Sequence, residues 1–515
     1  MKHYLIYIIC AFFSISLLSS CDLDIAPSDS LTGDQMANSS DGLIGIINGC
    51  YAVLKDYQEG QSDNTWYLRQ YYQMSDFASD DVVYGYQTED NLNMIFRYPE
   101  RNPGLENITS FWINNYKIIY SANVALSVAN LKEESALVDR IKGEALFLKA
   151  FAMHNLVRLY AKPYSAANAS TPGIIIREDN LDTANKPRAT VQETYDYIIK
   201  CLLDAETLMD GNEDDSRASK GFASIGAVRA LLSRVYLYEQ DYDNCIKYAD
   251  EVIGSEEYQL TEASEYKDYF RTATSASETI WCVIMNSKDD KKSGSIASMI
   301  MKGDGCWGEE GYSMPLLKDM GIGTDLQDVD VRFDFVEPSY IKNGLTLYPC
   351  SKFSWQNDII TSISPVMLRL SEVYFNRAEA YANKTQDTKA LDDINEVRKH
   401  RIDVTRTTGE SVDDFLYKSS DLDDNSSLDL VLKEKRIEFA FEAHRFFDLM
   451  RNGKDIVRNY WGFHILTYSA GQSVATLPGL SVENVVTSNS YPRLVFPIPT
   501  QEVSNNLECE QNEGY

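Results

Sequence analysis

Along most of this chain apolar residues recur at the three- and four-residue spacing of one helix face. The stretch "SSDGLIGIINGCYAVLKDY" places Leu43, Ile46, Ile47, Cys50, Tyr51 and Leu54 on one side of a helix. The same spacing predicts helices from Phe111 to Leu131 and from Arg140 to Tyr160, the second ended by Pro163. In "RATVQETYDYIIKCLLDAETLM", Thr190 and Glu193 stand at capping-box spacing ahead of Ile198, Ile199, Leu202, Leu203 and Ala205. Two later segments predict helix–turn–helix units. One joins "ASIGAVRALLSRVYLYEQ" to "DYDNCIKYADEVI", and the other joins "VMLRLSEVYFNRAEAYANK" to "DTKALDDINEVRKH". Small alanines at close-approach positions, a late tyrosine and a short turn match the pattern of tetratricopeptide repeats. Such repeats cannot bury their apolar faces alone, so they must stack on one another or on neighbouring helices.

The helical period fades between about residues 256 and 363. "ETIWCVIMN" (Glu278 to Asn286) has the apolar run of a buried strand, and "KKSGSIASMIMKGDGCWGEEGYSMP" is rich in Gly, Ser and aromatics. A second loop-rich tract, "YQMSDFASDDVVYGYQTEDNLN", lies between the first two helices. The tail from about Asn459 is loop-rich and contains a strand-like "RLVFPIP". Long loops on a rigid scaffold are either disordered or functional.

The N-terminus begins with Lys2, runs apolar from Tyr4 to Leu18 and ends Leu18-Ser19-Ser20-Cys21. These are the parts of a secretory leader, and the apolar run is shorter than the ~20 residues of a membrane span. A cysteine directly after Leu-Ser-Ser resembles a lipobox, in which Cys21 is lipidated and becomes the first mature residue. The expected organisation is a leader (1–20), a tether (21–40), an N-terminal helical region (41–255), a loop-rich insert (256–363) and a C-terminal helical region with an irregular tail (364–515).

Charge narrows the partners. The chain has a formal charge of −29, and loss of Lys2 with the leader takes it to −30. That surface repels nucleic acid and anionic headgroups. Seven cysteines remain after Cys10 and Cys21, none in a C-x-x-C pair. Their odd number and scattered spacing argue against a zinc site or a disulfide framework, although Cys282 and Cys306 are near enough in sequence to bridge.

The stretch "KEKRIEFAFEAHRFFDLMRNGK" (Lys433 to Lys454) is the most suggestive of catalysis. As one helix it would line up Glu434, Glu438 and Glu442 on one face. Glu442–Arg445 and Asp448–Arg451 would form a three-residue ion-pair ladder, and His444 would sit on an apolar stripe. A glycosidase needs two carboxylates facing each other across a bond, not side by side. The stretch therefore favours structure over catalysis. No zincin, nucleophile-elbow or phosphate-loop motif occurs, and the expectation is no enzyme and no cofactor. "DLDDNSS" (Asp421 to Ser427) starts like a calcium loop but has Ser426 at the glycine position and Leu432 at the bidentate-glutamate position. It is expected to be an acidic turn capping the next helix, open only to adventitious calcium. Aromatics in polar loops have fewer packing partners than those on helical stripes. Trp307, Tyr312, Tyr84 and Tyr86, with Trp66 upstream, are thus the candidate stacking residues.

The blocks "GCYAVLKD", "SANVAL", "GEALFLKAFAMHNLVRLYAKPY", "ASIGAVRALLSRVYLY", "DVDVRFDF", "MLRLSEVYFNRAEAYANK", "EKRIEFAFEAHRFFDLMRNGK" and the terminal "FPIPTQEVSNNLECEQNEGY" occur in one order. In this the chain resembles the SusD/RagB family of Bacteroidetes surface lipoproteins. Ala443 stands where that family usually has glycine, and Glu513 where proline is common. The resemblance implies a mainly α fold: a tetratricopeptide-repeat scaffold with an irregular loop-rich insert and few short strands. It implies a lipid anchor at Cys21 in the outer membrane, facing outward, and a SusC-like TonB-dependent transporter as partner. It implies a glycan ligand, less often a peptide, bound without cleavage. The tracts in the family's ligand positions are the loop after "SDD" and the one ending "GCWGEEGYSMP", which carry Tyr84, Tyr86, Trp307 and Tyr312.

Overall fold

The computed structural model describes residues 40–55, 62–84, 91–212, 215–342, 345–458 and 486–515. The leader, Cys21 and the tether, and also Tyr86, lie outside them. Helix α1 (Ser40–Leu54) leads into α2 (Tyr67–Ala78), α3 (Glu106–Ala129) and α4 (Ala136–Tyr160). Next come α5 (Val191–Met209), α6 (Ile225–Glu239) and α7 (Tyr242–Gly254). The capping box opens α5 as the spacing predicts: Thr190 Oγ1 accepts from the Glu193 N–H, and the Glu193 carboxylate accepts from the Thr190 N–H at 2.8 Å. After the insert, α9 (Leu370–Asn383) and α10 (Asp387–Lys399) form the second helical pair, followed by α11 (Ser427–Glu438) and α12 (Arg445–Arg451). The short helix α8 (Ile296–Ile300) belongs to the insert.

Each long helix packs on the next from α3 to α7. There the chain makes its main join, because α7 packs on α9 across the whole insert. Buried polar contacts fix that joint. Arg234 of α6 donates to both carboxylate oxygens of Glu372 at 2.5 and 2.6 Å, and Asn376 donates to Ser233 at 3.1 Å. The two helix–turn–helix units expected from the sequence are therefore one continuous stack. Their apolar faces merge into a single core that also takes in α1, α2 and the insert.

Strands are few and paired in twos: β1 (Val82–Tyr84) with β3 (Glu310–Tyr312), and β2 (Thr279–Cys282) with β6 (Val366–Arg369). β4 (Tyr340–Lys342) pairs with β5 (Leu345–Leu347), and β7 (Ile456–Val457) with β8 (Val486–Thr487). All four pairs are antiparallel. Three expectations change. Val366–Arg369 is a strand rather than the start of α9, because it supplies the ladder for "TIWC". "RLVFPIP" forms no strand pair. It bonds to α4 through the Phe496 N–H and Leu159 carbonyl (3.0 Å), while Pro497 and Pro499 have no N–H to offer a ladder. Cys282 and Cys306 are both free thiols, as are the other five described cysteines. The "DLDDNSS" turn caps α11 as expected, with Ser426 Oγ accepting from the Asp429 N–H at 3.1 Å.

Candidate functional site

The Lys433–Lys454 stretch is not one helix. It breaks between α11 and α12 at a turn where Phe441 (φ 64°) and Ala443 (φ 63°) adopt left-handed backbone. Cations from elsewhere hold the break open. Lys352 donates to the carbonyls of Glu438 and Ala440 at 3.2 and 2.9 Å, and Arg369 to that of Glu438 at 3.1 Å. The predicted Glu442–Arg445 rung is replaced by Glu442 with Lys352 (2.8 Å) and Arg369 (2.8 Å), whereas the Asp448–Arg451 rung forms at 2.7 Å. His444 stacks on Phe439 at 4.4 Å.

These charges form a buried network. Arg369 and Arg401 both pair with Glu278 and Glu438. Arg332 pairs with Asp330, Glu434 and Glu438, and Arg398 with Glu434. With Lys352 and Glu442 that makes five cations and five carboxylates, all buried. Burial alone would raise the Glu438 carboxyl, but Arg401, Arg369 and Arg332 outweigh it and hold the group well below the usual range. Carboxylates so enclosed have no exposed face for a substrate, and each is already matched by a cation.

The two loop tracts singled out in the sequence meet in space. β1 and β3 pair with Val82 opposite Tyr312 and Tyr84 opposite Glu310. Both tyrosines point inward. Tyr84 packs on Phe77 and Phe96, and Tyr312 lies edge-on to Phe441 at 4.8 Å and bonds to the Cys350 sulfur at 3.2 Å. They are core anchors of the loops and show no ring face to solvent. Trp66 is 6% exposed. It lines a narrow cleft with about 30 Å³ of free space, and Lys291 lies 4.8 Å over its ring.

Trp307 is the exception, at 56% exposure. Its loop is nevertheless held firmly. The Trp307 N–H bonds to the Ser298 carbonyl of α8, its indole N–H to the Ser293 carbonyl at 3.1 Å, and Lys342 donates to its carbonyl at 3.0 Å. Two glycines make this possible. Gly308 has φ 55°, and a Cβ on Gly311 would lie 2.5 Å from the Tyr348 carbonyl oxygen. The indole edge is thus tied down while a large apolar surface stays in water.

Trp355, which the sequence reading did not select, is the second exposed tryptophan among the described residues, at 37%. Its turn touches the Trp307 loop, since a Cβ on Gly303 would collide with Ile360. Trp355, Asn357 and Asp358 all have left-handed φ, of 75°, 53° and 60°. For a tryptophan that conformation is an outlier, of the kind that gathers at functional surfaces. The signal available in the sequence is the run "SWQND", an aromatic followed by turn formers.

This geometry can be set beside known proteins. Residues 342–515 match the model of the SusD family, and residues 33–237 match a SusD-like family described as starch-binding associating with outer membrane. The chain belongs to the SusD family. SusD-like protein P38 of Formosa agariphila is 21% identical over 98% of this chain and 97% of its own length. The SusD fold is also seen in solved structures. A SusD superfamily protein from Bacteroides vulgatus has a TM-score of 0.74 at 26% identity, over 92% of this chain and 99% of that one. A putative sugar binding protein from the same organism has a TM-score of 0.72 at 23% identity, over 92% and 98%. The fold class expected from the sequence, a mainly helical SusD-like scaffold with few strands, is the one observed. No described helix is long and apolar enough to cross a membrane.

Proposed function

We propose that this chain is a cell-surface lipoprotein that binds glycans and delivers them to a SusC-like TonB-dependent transporter. It would be anchored in the outer membrane through a lipid on Cys21, and Trp307 would be its main stacking platform. The observation that carries the reading is the Trp307 indole, more than half exposed on a loop whose backbone and ring edge are both fixed. An aromatic face held out in this way stacks on a sugar ring with little ordering cost. Trp355 supplies a second exposed ring, on the turn that meets the Trp307 loop at Ile360 and Gly303, and Asn357 and Asp358, exposed beside it, can bond to sugar hydroxyls. The family description and the neighbour named as a putative sugar binding protein support the ligand class. The ion-paired state of Glu434, Glu438 and Glu442 supports binding without hydrolysis.

Affinity electrophoresis of the mature chain through gels containing a panel of glycans tests the ligand. Retardation on at least one glycan, with no new reducing ends, is the expected result. Migration unchanged on every glycan, together with binding of peptides, would refute it. Co-purification of the barrel with the lipoprotein from outer membranes tests delivery.

A further inference from the structure

Arg436 lies in the polar stretch that the proposed function leaves without a direct role, and its partners set it apart from its neighbours there. Lys435 pairs with Glu379 and Asp448, both on scaffold helices. Arg436 instead reaches the bases of both loop tracts. Its Nε donates to Asp81 at 2.6 Å, immediately before β1. Its Nη1 donates to Asp319 at 2.8 Å, at the end of the short helix Met314–Asp319 that follows β3. Its Nη2 reaches the Asp80 carbonyl at 3.3 Å.

The same point joins the two tracts to each other. The Ser313 N–H bonds to the Asp81 carbonyl at 2.7 Å, and its hydroxyl donates to the Asp80 carbonyl at 2.9 Å. Arg445 grips the Asp80 carboxylate at 2.7 and 2.9 Å. Burial would raise that carboxyl, but Arg445 and Arg436 together hold it below its ordinary value. A planar guanidinium offers donors in a fixed fork, so one side chain can set the separation of two acidic anchors more rigidly than a rotatable ammonium does. Trp307 stands three residues before β3, so a shift of β3 against β1 would pull on the loop that carries its indole.

We propose that Arg436 is a positioning residue for the ligand surface: it locks the β1 and β3 tracts in the register that presents Trp307. The inference rests on the reading of Trp307 as the glycan platform. The test compares Arg436→Lys with Arg451→Lys in the full mature chain. The Arg451 side chain is also enclosed, at 6% exposure, but its partners are Glu379 and Asp448 of the scaffold. Each variant is measured for affinity to a glycan that retards the wild type and for its melting temperature. Both melting temperatures should fall. Affinity should drop about tenfold in Arg436→Lys and stay within about twofold of wild type in Arg451→Lys. Asp319→Asn, which loosens one arm at a partly exposed position, should weaken binding several-fold and serves if Arg436→Lys does not fold. Equal affinities in Arg436→Lys, Asp319→Asn and wild type would overturn the inference while leaving the glycan reading intact. If Trp307→Ala binds as wild type, the reading of Trp307 falls and this inference with it.

Discussion

At the scale of single residues, ring exposure separates the tyrosines from the tryptophans of the loop tracts. Tyr84 and Tyr312 lie on strands whose three residues are all buried, whereas Trp307 and Trp355 lie in loops that contain left-handed backbone. Tyr312→Phe should leave glycan affinity within about twofold, while losing the bond to Cys350 costs about 1 kcal/mol of stability in urea unfolding. A large loss of affinity in that variant would show that the loop anchor is itself part of the site. Ala443 is a second informative position. Its φ of 63° accounts for the glycine that the family usually has there, and its N–H bonds to Asp76 at 3.0 Å. Ala443→Gly should stabilise the chain by roughly 0.5–1 kcal/mol, since the relief of left-handed strain exceeds the entropy added to the unfolded chain. A lower urea midpoint would contradict this. Polar loop composition singles out Trp307, which is exposed, together with Tyr84 and Tyr312, which are buried, and cannot distinguish them. Three-residue strands buried at every position leave no alternation to read.

At the scale of elements, the long helices were legible because each has a full apolar stripe and several have caps. The break in Lys433–Lys454 was not. Its cause lies far along the chain, in Lys352 and Arg369, which take the carbonyls that a continuous helix would use. The buried network around that break should dominate the response to mutation. Glu438→Gln leaves Arg369, Arg401 and Arg332 short of a charge and should cost about 3–5 kcal/mol. A cost below about 1 kcal/mol in urea unfolding would mean that the network contributes little. Burial would raise the Glu379 carboxyl, yet Arg451 and Lys435 bring it down to about 2. A folded-state value below the unfolded one gives stability that is complete above about pH 4.5 and lost as pH falls toward 2. Glu239 has the opposite sign. Burial, with the charges of Asp196 and Asp241, pushes it up to about 7 against the bond from Gln192. Its proton is held more tightly in the folded chain, so stability declines as pH rises from about 4.5 to 7. The urea midpoint should therefore peak near pH 5; a midpoint still climbing between pH 6 and 8 would contradict the Glu239 assignment, and one that does not fall below pH 4.5 would contradict the Glu379 assignment.

At the scale of the whole molecule, the repeat pattern identified two helical pairs but not their union across the insert. That union depends on Arg234–Glu372 and Ser233–Asn376, pairs separated by more than a hundred residues that no local periodicity reports. The insert departs from the stack and returns to it, and its loops close on the "SDD" tract through β1 and β3. The scaffold thus supplies rigidity, and the insert supplies both exposed tryptophans of the described residues. The measurement that bears most directly on this account is glycan affinity in Trp307→Ala. The mature wild type and the variant would be run side by side on the glycan that retards the wild type, with circular dichroism to confirm the fold. Loss of a single stacking ring should weaken binding by at least tenfold with the helical signal unchanged. Affinity equal to wild type in a folded Trp307→Ala chain would contradict the account.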